Sequence, residues 1–481
     1  MRGRLRGEEN RKWWTLAAVS VPLFMIMLDN TVVNVALPTI QKDFGIEVGA
    51  LEWVVAGYAL SFAVLMLSGG KVADMVGRRR VFVAGLAIFT LASLLCGFAG
   101  NAELLIAARV LQGVGSACML PASLSIIVAT FPPRERGTAL GIWAGVSATA
   151  LAVGPLVGGL ITEHIGWNWI FFINVPVGII GLVFARLVIV ESKDTSKEQR
   201  LDLPGLLTSA IALFALVYGL IEANSHGWTS LLILCLFGLA IVAGTAFIVL
   251  ELRQRLPMFD MTLFRNPTFA GANTVALLVS LAMIGVFFFI SLFMQDVLGY
   301  SAVHAGAAFL PMTLLIIVVA PAAGKASDRL GSRWLMVGGM SLLACALIVF
   351  AQLQPDSSYL ALLPGMVLGG FGMATTMTPM TAAALGAVPV DKAGVGSGML
   401  NTFRQLGGAL GIAVMGAILA NGANTALADG ATDVGAFMNG LHHALYAAAL
   451  IAFVGAVVAL VTIRGNAHSR PGPESVPAAA A

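Results

Sequence analysis

The sequence predicts an all-α polytopic membrane protein of fourteen spans, and three observations carry that prediction. The first is composition. Of 481 residues, 58% are hydrophobic and only 11% charged, with a mean hydropathy of +0.92, where soluble domains carry roughly 25% charged residues. The second is the recurrence of apolar windows of about 20 residues, the length that crosses a ~30 Å hydrocarbon core as helix. The alternating segments of a β-barrel, about ten residues each, are absent. The third is the placement of Lys and Arg, which sorts the connections between windows onto two sides.

The windows fall at residues 14–38, 51–70, 81–100, 103–129, 138–162, 168–190, 204–223, 228–251, 267–293, 303–323, 334–353, 359–384, 397–420 and 440–463. The first follows Trp13-Trp14. It is too long for the apolar core of a signal peptide and has no small-residue cleavage site after it, so it reads as a span. Pro132-Pro133 separates the fourth and fifth windows, Pro204-Gly205 opens the seventh and Asn266-Pro267 opens the ninth. With fourteen spans and an internal N-terminus, all but two of the 27 Lys and Arg residues fall on or near one side. The exceptions are Lys42, in the first external loop, and Arg109, inside the fourth window. A miscounted span would scramble that pattern downstream. Both termini are therefore expected in the cytoplasm.

A charged frame occurs twice. "GKVADMVGRRR" at 70–80 joins windows 2 and 3, and "GKASDRLGSR" at 324–333 joins windows 10 and 11. Removing two helices from the interval between them leaves one six-helix half. The chain thus divides into a cytoplasmic tail (1–13), a six-helix bundle (14–190), a charged connector (191–203), two inserted helices (204–251), a second six-helix bundle (252–463) and a Pro/Ala-rich tail (464–481) expected to be disordered.

In the first turn, Gly70 and Gly77 permit a tight reversal. Asp74 can accept from backbone amides or pair with a nearby arginine, and Arg78, Arg79 and Arg80 sit at headgroup level. The second turn offers Asp328 and Arg329. Plain anchoring by basic residues explains the arginines but not the repeated glycine–aspartate frame.

Asp29 lies roughly 23 Å along the first helix from the paired tryptophans, at 1.5 Å per residue, in the outer half of the span. Intramembrane acids are costly and are functional suspects by default. Arg109 enters span 4 to a similar depth, so the two can pair. Pairing favours the carboxylate and separation favours the acid, which would couple a proton to helix movement. A static ion pair that fixes packing is the alternative.

Glu52, Glu103, Glu163, Glu222 and Asp296 stand near outer span ends. Of these, Glu52 and Glu222 are candidates for an acidic vestibule. Gly145, Gly154, Gly158 and Gly159 in span 5 are expected to let a neighbouring helix approach closely, and Pro155 permits a kink. Arg404, a couple of turns into span 13 beside Gln405, needs a partner or must snorkel. The 20 methionines and 26 phenylalanines can line an adaptable apolar chamber. The four cysteines (96, 118, 235, 345) read as small buried hydrophobes.

Neither Gly-Lys pair is followed by the Ser or Thr of a phosphate-binding loop, and no connection is long enough for a nucleotide domain. No nucleophilic or metal-ligand constellation is present. No enzyme activity, cofactor or nucleic-acid partner is expected. The energy source left is the proton gradient and membrane potential.

At these residues the chain resembles the major facilitator superfamily, and within it the fourteen-span drug:proton antiporters. The resemblance rests on the 70–80 turn with its weaker copy and on "LDNTVVNVALP" (28–38). It rests also on "RVLQGVGSA" (109–117), "GVSATALAVGPLVGG" (145–159) and "NTFRQLGGALG" (401–411). Two positions depart from the family pattern: Asn168 replaces an arginine between tryptophans, and Glu52 replaces a glutamine before Trp53. The resemblance implies a monomeric exporter in the cytoplasmic membrane that exchanges protons for lipophilic, cationic compounds. It also implies that the 70–80 turn latches the two halves and that span 5 carries an antiporter motif. A dedicated exporter of one metabolite, antibiotic or lipid-like molecule is the nearest alternative. A membrane sensor or scaffold is a third, disfavoured by the absence of an appended signalling domain.

Overall fold

The structure, a computed structural model, describes residues 8–193, 202–254, 257, 260–388 and 393–464. Most of the connector read at 191–203 and nearly all of the tail read at 464–481 lie outside the described residues.

The first four spans are α1 (Glu8–Phe44), α2 (Val48–Val76), α3 (Arg78–Gly97) and α4 (Ala102–Thr130), followed by α5 (Pro133–His164). Span 6 is two helices, α6 (Trp169–Phe172) and α7 (Asn174–Val188). The inserted pair is α8 (Leu203–His226) and α9 (Leu231–Arg253). Span 9 is α10 (Pro267–Leu292), closed by a π turn at Phe293–Val297, and span 10 is split into α11 (Ala302–Ala308) and α12 (Leu310–Leu330). The last four are α13 (Ser332–Phe350), α14 (Tyr359–Gly386), α15 (Ala393–Ala428) and α16 (Asp433–Thr462). Thirteen spans meet the length and hydropathy needed to cross a membrane among the described residues. The fourteenth is α5, several of whose side chains lie outside the described residues. The protein is therefore a multi-pass membrane protein with the expected fourteen spans.

Helix ends follow capping chemistry. Asn101 accepts from the Leu104 amide (2.8 Å) and Asp202 from that of Gly205 (2.8 Å). The repeated charged frame now has a local reason. Its last glycine is Gly77 in one copy (φ 131°) and Gly331 in the other (φ 80°), each the hinge between two helices in a conformation L side chains resist. Helices α1 and α15, at 37 and 36 residues, overrun the windows read from hydropathy. The overrunning turns carry polar residues such as Arg11, Lys12, Lys42, Asn421 and Asn424, and hydropathy registers only the lipid-depth stretch.

Large apolar residues cover the outside of the bundle, as lipid requires; Leu231, Ile241, Leu360 and Val461 are among them. Two cysteines join that face. Cys96 is buried and Cys118 half-buried, but Cys235 and Cys345 are exposed. The reading of all four as buried hydrophobes is corrected, because an apolar segment facing lipid exposes its small residues as readily as it buries them.

We call the side carrying the N-terminal end of α1 the tail side, and the other the far side. The first and last six spans meet at the far side. Gln295 donates to the Val35 carbonyl (2.9 Å), Lys42 pairs with Asp296 (2.9 Å), and the Val303 amide donates to Glu163 (2.8 Å). All three of these contacts between the halves lie there. Toward the tail side α2 turns to α4, with Gly69 against Ala117 and Gly70 against Pro121. The start of α15 turns to α10, with Gly396 against Phe269. The halves thus close on the far side and diverge on the tail side.

Candidate functional site

The polar stretch 28–38 satisfies most of its own needs. Asn30 donates to the Ile26 carbonyl (2.9 Å), Thr31 to that of Leu28 (3.0 Å) and Asn34 to that of Asn30 (3.2 Å). Bonds to preceding helix carbonyls let such side chains reside at membrane depth. Asp29 cannot use this device, because a carboxylate only accepts. It needs donors from other helices.

Helix α4 supplies them, and its glycines explain how. Gly113 admits the backbone of α2 at Tyr58, and Gly115 admits α3 at Gly85 and Phe89. With the three helices drawn together, Arg109 and Gln112 project between them toward Asp29. Arg109 donates to Asp29 Oδ2 and to Gln112 Oε1 (2.7 Å), and its Nε donates to the Val54 carbonyl (3.1 Å). Gln112 donates to Asp29 Oδ1 (3.0 Å) and to Ser93 (2.7 Å). Asn174, at the start of α7, donates to Asp29 Oδ1 and to Ser93, both at 3.3 Å. The guanidinium lies 4.2 Å from the Tyr58 ring centre, and the Tyr58 hydroxyl meets Ser116 at 3.0 Å. Asp29 is 2% exposed and Arg109 1%.

The predicted pairing of Asp29 with Arg109 is present in a dry, five-helix cluster. A buried pair is tolerable only when the remaining lone pairs and protons are hydrogen-bonded; Gln112 and Asn174 do that directly, Ser93 fixes both amides by accepting from them, and Tyr58 offers its ring face to the guanidinium. Sequence reasoning missed these four. Gln112 sits inside a quoted motif, one turn beyond Arg109, and was the findable one. Asn174 gave no periodic signal.

The family model for the Major Facilitator Superfamily matches residues 20–412. The chain is a member of the major facilitator superfamily. It is 38% identical to multidrug resistance protein Stp of Mycobacterium tuberculosis over 407 residues, 84% of this chain and 75% of that protein. It is 37% identical to the puromycin resistance protein pur8 of Streptomyces alboniger over 463 residues, 95% and 91% of the two chains. To the tetracenomycin C resistance and export protein of Streptomyces glaucescens it is 35% identical over 415 residues, 86% and 77%. Among solved structures, an autoinhibited POT-family peptide transporter superposes with a TM-score of 0.69 at 16% identity, over 96% of this chain and 99% of that one. A bacterial homologue of the lysosomal transporter Spinster, inward-facing and occupied, gives 0.67 at 18%, over 96% and 98%. At such identities these two speak for the fold alone.

The other predicted residues of this superfamily member distribute as follows. In the 70–80 turn, Asp74 accepts from Arg78 Nε (2.9 Å), four residues on. The Arg78 amide donates to the Ser192 carbonyl (2.9 Å) and the Arg79 amide to Glu191 (3.0 Å). Arg79 and Arg80 side chains lie 3.8 and 3.7 Å from the same carboxylate. Glu191 and Ser192 are the first residues of the connector, so the turn is tied to the chain just after span 6, and among the described residues none of its hydrogen bonds or ion pairs reaches the opposite half. Gly70 packs on Pro121. In the second copy Arg329 is exposed, and the side chain of Asp328 lies outside the described residues.

In span 5, a β-carbon on Gly154 or Gly158 would collide with Thr31 or Val32 of α1. One on Gly159 would collide with Ala302 of α11, and the Pro155 carbonyl abuts Gly306. The motif is thus a three-way junction that carries far-side closure. Gly145 is the exception. It is exposed, with nothing within 4 Å of a built β-carbon. Its expected close approach is corrected: it lies toward the tail side, where the halves diverge.

In span 13, Gly407 and Gly411 rest on Leu277 and Leu281 of α10. Arg404 and Gln405 are half-buried, and Arg404 makes no ion pair among the described residues. Among the described residues, no hydrogen bond or ion pair joins them to the Asp29 cluster. Glu52 and Glu222 do approach each other, between α2 and α8.

Proposed function

We propose that the protein is a proton-coupled antiporter that exports lipophilic compounds, cationic drugs among them, across the cytoplasmic membrane by alternating access. The observation that carries this reading is the ring of donors around Asp29. One carboxylate on α1 accepts from Arg109, Gln112 and Asn174, which come from two other helices of the same bundle, α4 and α7. Protonation removes its charge, and with it the Coulombic reason for Arg109 to stay. The guanidinium keeps the Val54 carbonyl, Gln112 and the Tyr58 face, so the cation is never stranded while the carboxyl is neutral. A helix rearrangement linked to that exchange would pass the proton to the tail side, and the Lys and Arg distribution supports taking that side as the cytoplasmic one. Each charge returned across the membrane supplies ~2.3 kcal/mol per 100 mV.

The resistance and export relatives support the direction of transport. Two of them are named for a single antibiotic, which favours, as a second reading, a dedicated exporter of one such compound.

The test is efflux from proteoliposomes with an imposed pH gradient, using a panel of cationic dyes and neutral lipophiles. Gradient-dependent movement of several compounds is expected. Equal movement after both pH difference and voltage are collapsed would overturn proton coupling. Movement of one compound alone would select the dedicated exporter.

A further inference from the structure

The Asp29 cluster leaves a second buried carboxylate unexplained. Glu52 lies on the second turn of α2, at the far side, and is 4% exposed. Its carboxylate rests on the backbone of Gly416 in α15, across the boundary between the two halves, where a β-carbon would collide with it. Below it the boundary is a dry apolar seam: Ala56, Ala59 and Leu60 of α2, Ala409 and Ala413 of α15, and Val217 and Ile221 of the inserted helix α8. Helix α8 clasps both sides of the seam. Trp53 of α2 packs 5.9 Å from the Phe214 ring and 5.7 Å from that of Tyr218, and Asn224 donates to the Ala417 carbonyl (2.9 Å).

No cation answers Glu52. It has no ion pair among the described residues. From α8 it faces another acid, Glu222, which is itself 3.5 Å from His226 Nδ1 and accepts from Ser225 (3.0 Å). From α15 it faces glycine: no charged residue stands between Arg404 and Asp429. Glu103 at the start of α4 and Glu47 before α2 are both exposed and both acidic. From α4 the Arg109 guanidinium reaches α2 at the Val54 carbonyl, two residues on, but its ion pair is with Asp29. The other charged groups facing Glu52 are acids, apart from the His226 imidazole beside Glu222.

An ionised carboxylate buried without a partner costs several kcal/mol, and a like charge beside it adds to that. A neutral carboxyl in the same place costs far less. Closing the seam and ionising Glu52 therefore oppose each other. By linkage, closure must favour proton uptake and proton uptake must favour closure.

We infer that Glu52 is a second proton-binding site, loaded from the far side, whose occupancy licenses closure of the α2–α15 seam, with Glu222 as the like-charged neighbour that sharpens the preference. Its proton joins the carboxylate when the seam shuts and leaves to the same side when it opens. It gates and is not carried across. The inference stands independently of whether Asp29 carries a transported proton.

The experiment places spin labels at two exposed far-side positions, Gly100→Cys and Asn424→Cys, with the native cysteines replaced by alanine. Distances are measured in lipid nanodiscs from pH 5 to 9, without gradient or substrate. The closed population is expected to grow as pH falls. Glu52→Gln, the uncharged isostere, should stay closed at every pH. Glu222→Gln should move the midpoint down by about one pH unit. Asp29→Asn should keep the response. Four results would overturn the proposal. They are a pH-independent wild type, Glu52→Gln titrating like wild type, loss of the response in His226→Gln, or closure at high pH on adding tetraphenylphosphonium. The last would make a cation, not a proton, the ligand. A pH-gated seam in a protein that fails the proteoliposome test would sink the antiport reading and leave this one standing.

Discussion

Two carboxylates are buried in the first two spans, and they are housed in opposite ways. Asp29 sits within one bundle, clamped by Arg109 and two amides from α4 and α7. Glu52 sits between bundles, against a glycine, with another acid as its charged neighbour. The first faces a cation and two amide donors, and the second, among the described residues, faces neither. A buried acid is therefore not one functional signal but two, separated by what faces it.

Substitutions should separate the two housings most sharply at Arg109. Arg109→Ala strands Asp29 without its cation, and breaking a buried pair this way costs about 3–5 kcal/mol. A large fall in thermal unfolding temperature and loss of transport are expected. Adding Asp29→Asn should restore much of the stability and none of the transport. If Glu52→Gln destabilised the protein as much as Arg109→Ala, the contrast would be wrong.

Next in size is Gly159→Val, which drives a side chain into the Ala302 backbone at the far-side junction. Overpacking of this kind costs about 1–3 kcal/mol. The spin-label distance should lengthen at all pH values, and accessibility of far-side cysteines should rise. Gly145→Val, in the same motif but in open space, should leave the distance unchanged.

Asn174→Ala removes one donor from Asp29 and one from Ser93. A loss of about 1 kcal/mol is expected. The fall in thermal unfolding temperature should be well below that of Arg109→Ala.

The smallest effect on stability should come from Asp74→Asn. Its pair with Arg78 is part-exposed, and such pairs contribute about 0–1 kcal/mol. Insertion and melting should hardly change, yet transport is expected to stop. Unchanged transport by the reconstituted variant would reduce the 70–80 turn to an anchor.

Much of the fold was legible because lipid imposes a coarse rule on sequence. A span needs about 20 apolar residues, and Lys and Arg keep to one side. Broken spans were legible only in part. Hydropathy reads each as one window, but Pro176 and Pro311, in the first turns of α7 and α12, remove a backbone donor and crowd the preceding turn at the interruptions at Ile173 and Phe309. In the site, Asp29 and Arg109 stood out because charge at membrane depth is rare. Asn174 and Ser93 did not, since a lone amide or hydroxyl in a helix most often bonds its own backbone.

The sequence by itself determined the class, the span count, the two-fold repeat and the identity of the intramembrane charges, because each follows from the free energy of moving one segment from water into hydrocarbon. It was the tertiary structure that decided which charges meet. Arg109 reaches Asp29 because Gly113 and Gly115 let three backbones close up. Glu52 is left without a cation because the residue opposite it, 364 positions along the chain at Gly416, has no side chain at all. Transfer energies are additive along a chain, whereas pairing depends on which helix faces are brought together, and no local stretch encodes that alone.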